Sequence, residues 1–353
     1  MEAMILCGVP RTDDLDDLFG GAGCGPSPVN NPDGVRWNSA FAYLDPVRDR
    51  PEPGRSDRRL RVVDHALVDR LELHGSVVHR AHVRHGQERL TMDHPTLELR
   101  FAASEELVRR LADYKRGRPV PDEQVIGKAL STGGRAPYDL HLLPWTGKEP
   151  GGWTCVLPAA CLTPRSRGTL RLTSPDPAAR PLIDHAYLTD PGGSDLEVLR
   201  HGIGLCRRMA TSPALAPLLG QPLDEFTAAW LEEFAEDPRD GLASHRRERR
   251  AMDPRDGLAA DPSRDQPAGL SGGKLTGPRE AAMRAAAAHY WHPVGTCAIG
   301  TDPAAGAVVD ATGRLYGSDN LWVIDASIIP VIPRATTNLP VVALAEHLVR
   351  TLL

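Results

Sequence analysis

The decisive stretch runs from Pro278 to Leu353: PREAAMRAAAAHYWHPVGTCAIGTDPAAGAVVDATGRLYGSDNLWVIDASIIPVIPRATTNLPVVALAEHLVRTLL. Pro278–Ala288 is alanine-rich, with proline at its first position and Glu280 in its first turn, the composition of a helix start. His292-Pro293 closes that segment, because the residue before a proline is pushed out of the α region into extended geometry. The loop HPVGTCAIG leads to Val308-Val309-Asp310 and a turn at Thr312-Gly313, and the apolar run Leu321–Asp325 (LWVID) reads as a strand. A last helix, Pro340–Leu353, takes Asn338 as its N-cap. Val341, Leu344, Ala345, Leu348 and Leu352 line its apolar face, while Glu346 with Arg350 and His347 with Thr351 stack on the polar one.

Upstream the pattern is different. From Leu60 to His85 two β-rich runs flank His74-Gly75, which predicts a hairpin or adjacent strands. Ser104–Lys115 is a short helix opened by a capping serine, with Glu105 and Glu106 in its first turn. Between Tyr138 and Leu172 short apolar runs recur between Pro/Gly breakers, as in an antiparallel sheet. Helices are expected over Asp195–Met209 and Leu223–Phe234. The first fifty residues read as loop with short elements, and Trp37–Leu44 could open a helix. Residues 236–277 are charged and Pro/Gly-rich and contain DPRDGLA twice, an insertion expected to be disordered.

Composition narrows the function classes. At 353 residues the natural expectation is two domains. Hydrophobic residues make up 41%, ample for a packed core, and 33 glycines with 32 prolines imply many turns. With 41 Lys/Arg against 46 Asp/Glu the net charge is −5, which favours neither nucleic acid nor an anionic membrane as partner. No apolar run approaches a membrane span, and the N-terminus lacks a basic n-region, so a cytoplasmic chain is expected. Six cysteines without a CxxC pair argue against a zinc site or a disulfide framework. A metal site from His79, His82 and His85 fails, because strand alternation puts His82 on the opposite face.

Among single residues His292 leads, since histidine is the side chain best tuned for proton transfer near neutral pH. A Cys–His hydrolase using Cys297 and His292 lacks an orienting acid and an oxyanion hole. The joint pattern decides the matter. Tyr290-Trp291-His292-Pro293-Val294-Gly295-Thr296-Cys297 is followed by Val309-Asp310, by Gly317-x-Asp-Asn-Leu-x-Val-Ile-Asp325-Ala326-Ser327, and by Asn338-x-Pro340 ahead of a helix containing Ala345-Glu346. In this order and spacing the chain resembles the glucose–methanol–choline (GMC) family of FAD-dependent oxidoreductases. Pro164-x-Ser166-Arg167-Gly168-x-Leu170-Arg171-Leu172-x-Ser174-x-Asp176-Pro177, Pro181-x-Ile183-Asp184, Tyr187-Leu188-x-Asp190-Pro191, Gly34–Pro46 and Asp93-His94-Pro95 extend the likeness.

The resemblance implies an alcohol oxidase or dehydrogenase that uses FAD on the CH–OH group of a small-molecule alcohol. It assigns His292 as catalytic base and Asn338 as the second active-site residue, binding the alcohol oxygen. It places Trp291, Asp325, Ala326, Asn338 and Leu339 against the cofactor. The last helix would aim its N-terminal dipole, about half a charge, at the flavin edge that gains electrons. The implied fold is an α+β substrate domain with an antiparallel sheet plus an incomplete α/β FAD-binding domain. The expected division is residues 1–92 as a partial FAD segment with the hairpin, 93–277 as substrate domain, and 278–353 as the C-terminal FAD and active-site segment.

One family element is missing: a βαβ unit whose GxGxxG loop sets the pyrophosphate on a helix N-terminus. Gly20–Gly25 fails the spacing at Pro26, and His201-Gly202-Ile203-Gly204 fails it at Arg207. The chain by itself is therefore expected to hold FAD weakly or not at all. The alternative function is a catalytically silent truncated remnant that binds ligand or only packs. An incomplete sheet is expected to promote self-association or pairing with a complementing chain.

Overall fold

The computed structural model describes residues 1–15, 20–27, 43, 72–80, 88–114, 125–134, 137–174, 179–232 and 277–352. The expectations for Gly34–Pro46 and Trp37–Leu44 (Tyr43 apart), for most of Leu60–His85 with the side chains of His79, His82 and His85, and for the 236–277 insertion (its last residue apart) lie outside them. Among the described residues no helix is long and apolar enough to cross a membrane.

The chain divides into two compact units with interleaved segments: 1–28, 94–165 and 187–290 form the first, and 29–93, 166–186 and 291–353 the second. This differs from the expected division at Asp93, which falls in the second unit, and in three longer stretches. Residues 1–28 join the first unit because Gly23–Pro26 pairs with Val125–Ala129. Residues 166–186 join the second because Gly168–Arg171 pairs with Glu88–Thr91. Residues 278–290 join the first, where Ala288–His289 pairs with Pro95–Ala103.

The first unit is built on an antiparallel sheet in the order Gly23–Pro26, Val125–Ala129, Leu140–Leu142, Gly152–Cys161, Pro95–Ala103, Leu219–Pro222. Its central pair sets Leu157 opposite Leu99, Ala159 opposite Leu97 and Cys155 opposite Phe101, all buried. The Ser194–Ala210 helix packs across this pair and buries Leu199, Ile203 and Cys206 completely. Its approach is close. A Cβ on Gly202 would stand 2.8 Å from the Ala159 Cβ and 2.9 Å from a Leu140 methyl, so this glycine serves packing. The expected Ser104 cap is present, its Oγ accepting from the Leu107 N–H at 3.2 Å over the Glu105–Tyr114 helix.

The second unit has a three-stranded sheet, Leu182–Asp184, Gly168–Arg171 and Glu88–Thr91. The predicted hairpin is Glu72–His74 with Val77–Arg80, turning at Gly75 with φ +66°. Asn320 fixes it, its Oδ1 accepting from the Val78 N–H at 2.8 Å and its Nδ2 donating to the Val78 carbonyl at 3.0 Å. Two expectations are corrected here. LWVID is not a regular strand: it makes an isolated bridge, Arg314 with Trp322, because turns at Gly317–Asn320 and at Asp325 leave too few residues for a ladder. The last helix spans Asn338–Leu352, so Asn338 is its first residue and not its cap. Thr337 takes the cap position, its carbonyl accepting from the Val341 N–H at 3.0 Å. Pro340 is tolerated because the first four N–H groups of a helix have no partner within it.

Candidate active site

The second unit contains all of the sequence-predicted site residues: Trp291, His292, Asp325, Ala326, Asn338 and Leu339. They sit on three segments tied by backbone bonds and two small apolar clusters. The Cys297 N–H donates to the Ser327 carbonyl and the Ile299 N–H to the Ile328 carbonyl, each at 2.9 Å, joining the loop after His292 to the turn after Asp325. Met92, Val294 and Ile332 pack with Ala326 and Ile329. Val309, Ile328 and Leu348 pack with Leu344, Cys297 and Ile299, which brings in the last helix. Cys297 is thus a half-buried packing residue.

His292 is half-buried, and its backbone is held from both sides. Pro293 restricts it on one side. On the other its N–H donates to Oδ1 of Asp93, a carboxylate 5% exposed, at 3.0 Å. Met92 and Val294 exchange both backbone bonds, at 3.0 and 2.9 Å, and the Thr91 hydroxyl donates to the Val294 carbonyl at 3.2 Å. The residue before, Trp291, has φ +64°, in the left-handed region that costs a non-glycine residue about 1–3 kcal/mol. Burial pushes the His292 imidazole below its ordinary value of 6.5, while the negative charge of Asp93 pulls it back up. The downward shift favours the uncharged ring, the state in which it can accept a proton.

Asp325 caps a short 3-10 turn over Ala326–Ile328, its Oδ1 accepting from the Ser327 N–H at 2.8 Å and from the Ser327 hydroxyl. Trp291 is 80% and Leu339 66% exposed, and Asn338 is exposed at the head of a helix with no acidic residue in its first turn. The loop from Gly295 to Ala307 lines a cavity of about 390 Å³ together with Leu90, Met92, Arg167 and Pro330. Asp93 had no role in the sequence reading, although Asp93-His94-Pro95 was visible as a motif. Its partner lies 199 residues away, a separation that only the fold closes.

A GMC oxidoreductase family model matches residues 164–345, half of the chain. Over 59% of its length the chain is 30% identical to an uncharacterised GMC-type oxidoreductase of Mycobacterium tuberculosis, matching 30% of that protein. Over 60% it is 29% identical to alcohol dehydrogenase [acceptor] of Pseudomonas putida, matching 31% of it. These matches span about a third of either relative. Among solved structures, pyridoxine 4-oxidase from Mesorbium loti is similar with a TM-score of 0.65 at 20% identity, over 99% of this chain and 68% of that one. That likeness concerns the fold. With the family model covering the loop of His292, the Asp325 turn and the head of the last helix, the chain belongs to the GMC oxidoreductase family.

Proposed function

We propose that this chain carries the active-site part of an FAD-dependent oxidoreductase acting on the CH–OH group of an alcohol-like substrate. The carrying observation is His292: a half-buried imidazole on a backbone clamped by Asp93, Thr91 and Met92, inside the segment that matches the family. GMC oxidoreductases are FAD-dependent flavoproteins, and the described residues suit the ring end of that cofactor. Trp291 and Leu339 offer exposed apolar surface, and the N-terminus of the Asn338–Leu352 helix, free of acidic residues, favours a ring that gains negative charge. Asp325 and Ala326 would contribute the turn beside it.

FAD, when bound, supplies the acceptor for the substrate's hydride. His292 takes the hydroxyl proton, so that the alcohol loses a proton from oxygen and a hydride from carbon and leaves as a carbonyl compound. The Asn338 amide donates to the alcohol oxygen and holds its carbon in line. The second unit is read as the FAD-side portion and the first as the substrate domain.

A second reading, a chain that binds ligand or packs without turnover, is favoured by the glycines. Gly23 and Gly25 lie in a strand, and Gly202 and Gly204 inside a helix, so neither cluster forms a phosphate cradle.

Gel filtration after incubation with FAD, followed by anaerobic addition of alcohols, separates the readings. Retained flavin absorbance that bleaches with an alcohol supports the enzyme, and His292→Ala should then slow bleaching about 10²- to 10⁴-fold with flavin binding kept. Bleaching at the parent rate removes His292 from the mechanism, and a chain that stays colourless favours the second reading.

A further inference from the structure

The clamp on His292 contains a carboxylate where a neutral acceptor would satisfy the same N–H. Asp93 is 5% exposed, and a buried charge is retained at a cost unless its surroundings use it. Three bonds besides its own already register segment 91–93 against 292–294: the reciprocal pair of Met92 and Val294 and the Thr91 hydroxyl on Val294. The Asp93 carboxylate thus adds a negative charge at a backbone that other bonds already hold in register. The adjacent left-handed Trp291 shows that the segment is held in a conformation it would not choose, and such strain persists only where neighbours over-determine it.

We propose that Asp93 is the positioning residue of His292, fixing its backbone through the His292 N–H and stabilising with its negative charge the imidazolium that proton capture creates. Burial works against that cation, and the charge of Asp93 acts on the ring in the opposite direction. Asp93 does not touch the substrate in this scheme. Its effect passes through His292, so the proposal rests on the reading of His292 as base.

The test uses the full chain with ¹³C-labelled histidine, following the imidazole of each histidine by NMR against pH. The His292 signal is assigned by its loss in His292→Gln. Asp93→Asn keeps an acceptor for the N–H and removes the charge, and Asp93→Ser does the same with a smaller group. In both, the His292 midpoint should move to lower pH while the Val294 amide, which reports the bridge to Met92, stays in place. In FAD-loaded protein, flavin reduction at neutral pH should fall about 10-fold with KM little changed, and the low-pH limb of its profile should shift with the midpoint. A His292 midpoint unmoved in whichever neutral variant folds overturns the proposal. A moved midpoint together with flavin reduction that survives His292→Ala sinks the base assignment and leaves the coupling of Asp93 to His292 standing.

Discussion

The first unit buries eight consecutive residues of its central strand, Thr154–Cys161, whereas the second holds its candidate site residues on loops and turns from Trp291 to the head of the last helix at Asn338. Both units use aspartates as local caps; in the first, Asp190 accepts from the Ser194 N–H and Asp224 from the Thr227 N–H. In the second unit aspartates do the local work of regular structure: Asp184 accepts from the Ala186 N–H, Asp302 from Ala304, Asp325 from Ser327, and Asp310 from both groups of Thr312 and from Arg314. Side chains that bond to nearby backbone in this way replace ladders with turns. The first unit adds one large packed apolar cluster to its caps, whereas the second sets its caps around two small clusters. A reacting group needs access and a fixed geometry together, and the second arrangement gives both.

The largest effect should follow from opening the packed unit. Leu157 is fully buried opposite Leu99, so Leu157→Ala should cost about 2–5 kcal/mol, read as a lower urea midpoint. A loss under about 1 kcal/mol would mean that this sheet is looser than its burial indicates.

The next effect sets the units against each other in pH. His292 has a folded value below 6.5, so below 6.5 the unfolded chain takes up the proton first. Its contribution to stability is present above that pH and is lost as pH falls through the folded value. Glu98, in the first unit, is shifted the other way: burial raises it above 4.5, against the pull of Arg100. The folded state then holds its proton longer, and that contribution is lost as pH rises through the raised value. Hydrogen exchange, corrected for intrinsic rates, should therefore show residues 291–294 loosening between pH 7 and pH 5 while 95–103 hold or tighten. Parallel changes in the two segments would break the distinction.

The same contrast governs what could be read without coordinates. The hairpin at Gly75, the Ser104 cap, the antiparallel sheet and the helices over 194–210 and 338–352 were legible because each rests on local periodicity or a turn residue. The strand Gly23–Pro26 was not, since it consists of small residues and looks like a loop. A Cβ on Gly25 would stand 2.6 Å from the Thr12 carbonyl, so the strand is small because backbone passes close by. The interleaving of units was hidden for a different reason: the pairing of Gly168–Arg171 with Glu88–Thr91 leaves no local trace. His292 and Asn338 could be named from motif spacing, but the partner of His292 could not. Asp93 lies on another segment, and although Asp93-His94-Pro95 stands out as a motif, nothing around it points to His292, 199 residues away.

The smallest effect concerns the thiols and samples both units in one experiment. Cys7, Cys24, Cys155, Cys161 and Cys206 are buried in the first unit, while Cys297 in the second is half-buried. Burial pushes Cys155 up to about 11 and raises Cys161 and Cys206 well above the ordinary thiol range, so none of these three offers a thiolate at neutral pH. A thiol reagent applied to folded protein should label one site first, mapping to Cys297 by mass spectrometry, and the other five only as the first unit opens. If Cys155 labels as fast as Cys297, the sheet core breathes on the labelling timescale and the contrast between one large packed cluster and two small ones fails. If labelling of Cys297 slows when FAD is added, the loop between His292 and Ile299 senses the cofactor, a result that ties the second unit to the flavin without any assay of turnover.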